Sequence, residues 1–292
     1  MRISRLIFLV LLAIIPLIQP LMAQDKPAYL LYSGKGKKIS YKRAISQLQE
    51  ADIVFFGELH NNPIAHWLEL EILRDLAAST DLTVGFEMFE TDQQEALDKL
   101  ASGEWGQDSL EQGTSLWGNY ATDYAPVVDL CLDRSFGLVA TNAPRFLARQ
   151  VSKQGLSSLD TLADSTLALL APLPITLDYE MPSYAKMRDM LGGHGGGLNA
   201  DFFIEAQALK DATMAHRILQ TRKEGNIFYH LNGSYHSDYH EGILWHIRQQ
   251  EPTLKMLTIS VIEVENMAWA DEEALNRADI VILVPASMTK TY

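Results

Sequence analysis

Apolar runs of strand length alternate along this chain with segments whose apolar residues recur every three or four positions. Asp52-Ile53-Val54-Phe55-Phe56 is such a run, and Leu68, Ile72, Leu73 and Leu76 follow at helical spacing within residues 62–78. The first predicts a strand buried on both faces, the second a helix lying against it. Leu82 to Phe86 predicts another strand, and a Gln- and Glu-rich helix begins near Thr91. A helix around Pro126 to Asp133 leads into a third strand, Gly137 to Ala140. Asn226 to Leu231, Lys255 to Val264 and Ile280 to Val284 supply three more. Strands separated by helices imply an α/β fold with a mainly parallel central sheet flanked by helices.

Residues 145–198 break the alternation. Pro172, Pro174 and Pro182 punctuate short apolar segments, and Gly192-Gly193-His194-Gly195-Gly196-Gly197 follows as a loop with few conformational restrictions. The segment reads as a smaller helical insertion ending in a histidine-bearing loop. Asn199 or Asp201 then caps a long helix that carries Phe202, Phe203, Ala206, Leu209, Thr213, Met214 and Ile218 on or near one face.

The first 23 residues form a separate unit. Arg2 and Arg5 precede an apolar stretch from Leu6 to Ile18, and Pro20 and Leu21-Met22-Ala23 close it, the order of a secretory signal peptide. The expected product is an exported protein of residues 24–292, periplasmic or associated with the cell envelope. Its only cysteine is Cys131, so the processing-site cysteine of a lipoprotein is missing and no internal disulfide is available. The net charge of −13 becomes −15 once Arg2 and Arg5 are removed. A chain so acidic lacks the basic footprint that nucleic acid requires.

Two copies of one short pattern carry the candidate chemistry. Gly57-Glu58-Leu59-His60 and Gly233-Ser234-Tyr235-His236 each follow an apolar run, with glycine three residues before histidine. Each glycine is expected to turn the chain sharply and set an imidazole at the same sheet edge, where His60 and His236 can bind a metal or move protons. Glu58 can orient an imidazole, act as a base or bind a metal. Glu87 closes the second strand and can join this cluster; Arg145 opens the helix after the third strand and can hold an anion as a rigid fork. A buried Glu87–Arg145 ion pair is the structural alternative. His66 reaches the mouth or lies exposed on its helix, and His230 reads as a core residue. No His-Glu-x-x-His motif, phosphate-binding Gly-rich loop or Gly-x-Ser-x-Gly elbow occurs.

Asp52 to Leu76, with Gly-Glu-Leu-His-Asn-Asn-Pro and His66, resembles the opening of ChaN-like haem-binding proteins. Glu87-Met88-Phe89-Glu90, Asn142-Ala143-Pro144-Arg145, Ala206-Gln207 through Thr213-Met214-Ala215, and Asn232 to His236 extend the resemblance in family order. It implies an α/β body with a smaller helical region and a role in haem or iron uptake or handling at the bacterial cell envelope. Haem needs an apolar slot, an axial donor and cationic groups at its propionates. His60, Arg145, Tyr184, His194 and His236 are the candidate haem-binding residues, with His194 or Tyr184 as the iron ligand. A homodimer covering an open haem face and an envelope haem-transport component are the expected partners. The wider group also includes erythromycin esterases and the Tiki and TraB proteins, some of them hydrolases. The alternative is therefore a metal-dependent hydrolase of an ester or peptide, with Glu58, His60, Glu87 and His236 around a divalent metal ion.

Overall fold

The structure is a computed structural model that describes residues 25–192, 199–267, 274 and 276–292. The expected signal segment, residues 1–23, and His194 lie outside the described residues. Among the described residues the apolar runs form seven strands: β1 (Leu30–Ser33), β2 (Ile53–Glu58), β3 (Leu82–Glu90), β4 (Gly137–Asn142), β5 (Ile227–Gly233), β6 (Met256–Val264) and β7 (Ile280–Pro285). They make one sheet in the order β1-β7-β6-β2-β5-β3-β4, in which only β1 runs antiparallel to its neighbour. The α/β expectation holds. β1 is an addition: four residues at an edge are too short to show an alternation.

Between the strands run α1 (Tyr41–Leu48), α2 (Pro63–Leu76), α3 (Gln94–Ala101), α4 (Gln107–Gly113) and α5 (Ala125–Arg134). Then come α6 (Arg145–Gln154), α7 (Asp164–Leu167), α8 (Pro182–Gly192), α9 (Ala200–Thr221) and α10 (Ile243–Gln250). Every residue of β2 is buried because its side chains alternate between two cores. Val54 and Phe56 pack with Leu68 and Leu73 of α2 and Val127 of α5. Ile53 and Phe55 pack with Met214 and Ile218 of α9 and Leu244 and Ile247 of α10.

The helices of residues 145–192 rest on α9. Leu147 and Val151 of α6 meet Leu209, while Met181 and Tyr184 meet Ile204 and Ala208. Asn199 caps α9, its side chain accepting from the Asp201 amide. None of the described helices is long and apolar enough to cross a membrane.

The sharp turns expected at Gly57 and Gly233 are not formed. Both glycines are strand residues, and neither has a positive φ. Their role is close approach: a Cβ on Gly233 would stand 2.8 Å from Cε1 and Nε2 of His60, and one on Gly57 2.9 Å from the Ile259 carbonyl oxygen.

Candidate functional site

β2 and β5 are parallel neighbours, yet the chain leaves them toward opposite faces of the sheet. After β2 it enters α2, which packs on one core; after β5 it reaches α10, which packs on the other. Connections that diverge in this way open a crevice at the carboxyl ends of the strands, where open α/β sheets bind ligands. Gly57 pairs with Asn232 and Glu58 with Gly233, so the two Gly-x-x-His segments enter the crevice one residue out of register.

From β2, Glu58 is buried and accepts through Oε1 from His60 Nδ1 at 2.6 Å and from the Tyr124 hydroxyl at 2.6 Å. His60 is the accessible member, its side chain 38 % exposed and its ring edge-on to Trp117 at 4.9 Å. Burial pushes the His60 pKa down, but the Glu58 carboxylate outweighs it and the net shift is upward.

From β3 and β5 comes a second, fully buried group. Glu87 accepts the Gly233 amide at 2.7 Å through Oε2 and faces His236 Nε2 at 3.1 Å through Oε1. On the other side of the ring, His236 Nδ1 meets Asp211 Oδ1 at 2.5 Å. Both ring nitrogens thus point at carboxylates, the geometry of an imidazolium. Burial works against that charge, yet Glu87 and Asp211 outweigh it and push the pKa up to about 10. Glu87 is held far below the usual carboxylate range, the charge of His236 overcoming its burial. Glu58, His60, Glu87 and His236 therefore stand at one edge, and the charges of Glu87 and His236 both act on His60.

A third group lies beneath His60. His66 is buried, not exposed, with Nδ1 3.0 Å from Glu69 Oε2 and 3.6 Å from Glu58 Oε2. Its Nε2 stands 3.0 Å from the His60 carbonyl oxygen and 3.4 Å from Asp123. Asn119 donates to that same carbonyl and to Asp123. Burial, and then the charge of Glu58, hold the Glu69 carboxyl well above its usual range. On Glu58 burial acts in the same direction, but contact with Glu69 and His60 brings its pKa below the usual value.

The Glu87–Arg145 ion pair considered as the structural alternative does not form, because Glu87 faces Gly233 and His236. Arg145 instead pairs with Glu90 at 3.5 Å, and its side chain is 61 % exposed. With Phe146, Arg149, Glu90 and Ser115 it lines a cavity of about 340 Å³. Tyr184 is buried in the helical lobe and donates its hydroxyl to Asp211 at 2.9 Å; burial and Asp211 raise its pKa strongly. In this arrangement the phenol supports Asp211 and does not present itself to a ligand. His230 is a buried core residue, its ring bonded to Thr141 and Asn232 and its pKa lowered by burial to about 4.

Glu69, Asp123, Tyr124 and Asp211 belong to the cluster and were not among the residues expected there. Two had a readable signal: Glu69 follows His66 by three residues on one helix face, and Asp211 interrupts the apolar face of α9. Tyr124 and Asp123 ride on a π-helical turn, Tyr120–Tyr124, that no periodicity announces.

A family profile described as haem-binding uptake, Tiki superfamily, ChaN matches residues 44–247. No protein with curated annotation matches the sequence. Among solved structures, ChaN of Campylobacter jejuni, described by its cofacial haem binding, shares the fold: TM-score 0.68, 20% identity, covering 90% of this chain and 99% of its own. A Bacillus cereus protein aligns over 83% of this chain and 90% of its own, with TM-score 0.49 and 11% identity. An erythromycin esterase in its open conformation covers 81% of this chain and 77% of its own, with TM-score 0.46 and 13% identity.

Proposed function

The chain belongs to the ChaN family of haem-binding uptake proteins in the Tiki superfamily, and on that premise we propose that it is exported and binds haem for uptake or handling at the cell envelope. The family match carries the reading, and three features of the sheet edge support it. His60 is a half-exposed imidazole at the crevice mouth. Arg145 and Arg149 supply cations for propionates beside the exposed ring of Phe146. β2 and β4 are three strand spacings apart, about 14 Å, a distance a macrocycle and its propionates can bridge. Of the two iron ligands expected from the sequence, Tyr184 is engaged by Asp211, so His194 is the donor to test. The ChaN of Campylobacter jejuni is described by its cofacial haem binding; in this chain, pairing of two protomers would cover a haem face left open at the edge.

Haemin titration of residues 24–292, followed by visible absorbance, tests this reading. A saturable Soret band that shifts in His194→Ala and weakens in Arg145→Ala is the expected result. A band that grows linearly without saturation overturns haem binding.

The hydrolase alternative draws on the two carboxylate-bound imidazoles, an arrangement that orients a catalytic base. Against it, both nitrogens of His236 face carboxylates, leaving no lone pair for a metal. If hydrolysis occurs, Glu58→Gln cuts turnover about 100- to 10,000-fold; if haem is carried, the same change alters haem affinity only modestly.

A further inference from the structure

We propose that Glu58, His66 and Glu69 form a buried site for one divalent first-row transition ion, distinct from the haem seat and from the His236 group. One ligand atom from each of the three residues lies within 4.8 Å of the others, and all three side chains are buried. A four-coordinate ion with bonds of about 2.1 Å sets its ligands about 3.4 Å apart. The His66–Glu58 and His66–Glu69 separations of 3.6 and 3.0 Å lie on either side of that spacing.

The ligand atoms of the three residues converge on the space between them. His66 Nε2 stands nearer the His60 carbonyl oxygen, at 3.0 Å, than Asp123, at 3.4 Å; with a metal bound, the ring proton would sit on Nε2 and the Nδ1 lone pair would face the two carboxylates. Glu58 Oε1 already accepts from His60 and Tyr124, while Glu58 Oε2 and Glu69 Oε1 are buried and meet no donor other than the proton that the Glu58 and Glu69 carboxyls can share. Converging lone pairs are unfavourable unless a proton or a metal lies between them, and a metal ion here would take the place of the shared carboxyl proton. The outer contacts are those of a supported metal site: a histidine N–H on a backbone carbonyl and a carboxylate held by a tyrosine hydroxyl. One imidazole and two carboxylates suit zinc or manganese better than calcium or magnesium.

Such an ion would tie β2 to α2 and, through Glu58, fix the ring of His60. The ligands are sequestered, so loading is expected during folding. The inference does not depend on haem binding, and its test uses no haem.

Metal content of the purified protein, and thermal unfolding after chelation and reloading with zinc or manganese, decide it. The expected result is about one ion per chain, with Tm falling roughly 5–10 °C on chelation and recovering with the ion. Glu69→Gln keeps the shape and offers an amide N–H to Glu58, so it folds without metal; it should lose both the ion and the metal-dependent Tm shift. His66→Asn should do the same, while His236→Gln keeps both. An ion-free protein with no Tm response to either metal overturns the proposal, as does binding that survives Glu69→Gln and His66→Asn.

Discussion

His236 shows how strongly neighbours set the chemistry of one side chain. An isolated imidazole titrates near neutrality, but two buried carboxylates on opposite sides of this ring raise its pKa to about 10. A pKa raised on folding stabilises fully below the unfolded value, about 6.5, and that stability is lost as pH rises through the folded value. Wild type should therefore exceed His236→Gln in stability by a few kcal/mol at pH 6, with the gap closing toward pH 10. Denaturant melts of both proteins across that range check it; a gap that stays constant contradicts the charged ring. Of the residues that meet here, Glu87 and His236 were legible in the sequence, while Asp211 and the pairing were not. An ion pair of Glu87, near the end of β3, with Arg145, at the start of α6, was one of two readings open in the sequence, yet the Gly233 amide and His236 occupy Glu87. Asp211, 25 residues before His236 in the chain, reaches the ring from α9.

Elements were more legible than contacts. The strands β2 to β7 are apolar runs that a buried parallel sheet requires, so their places could be read directly. β1 and the π-helical turn escaped because one is four residues long and the other has no distinctive period. The long helix α9 was readable from its cap and apolar face, although Phe203 proves exposed. α2 matters most to the site, since it carries both His66 and Glu69. Its start is set by Asn62, whose Oδ1 accepts from the Ile64 and Ala65 amides while its Nδ2 donates to Glu263 of β6. Asn62→Ala removes the cap and the link to β6 together and should cost about 1–2 kcal/mol. Chemical denaturation measures that loss; an unchanged midpoint would mean that Pro63 at the first helical position holds the helix start alone.

At the scale of the whole molecule, the sheet, the lobe and the edge act together. α9 packs on the sheet through Met214 and Ile218, on the lobe through Leu209, and brings Asp211 to His236. Tyr184 of the lobe bonds the same Asp211, so the lobe is coupled directly to the sheet edge. The position proposed for haem rests on this architecture: diverging connections leave a crevice at the carboxyl ends of β2 and β5, with His60 at its mouth and Arg145 beyond β4. A crystal structure of the haem-loaded protein tests that claim most directly. Haem lying along this edge, with a propionate on Arg145 and the ring beside His60, is the predicted result; haem bound at the opposite ends of the strands would contradict the account.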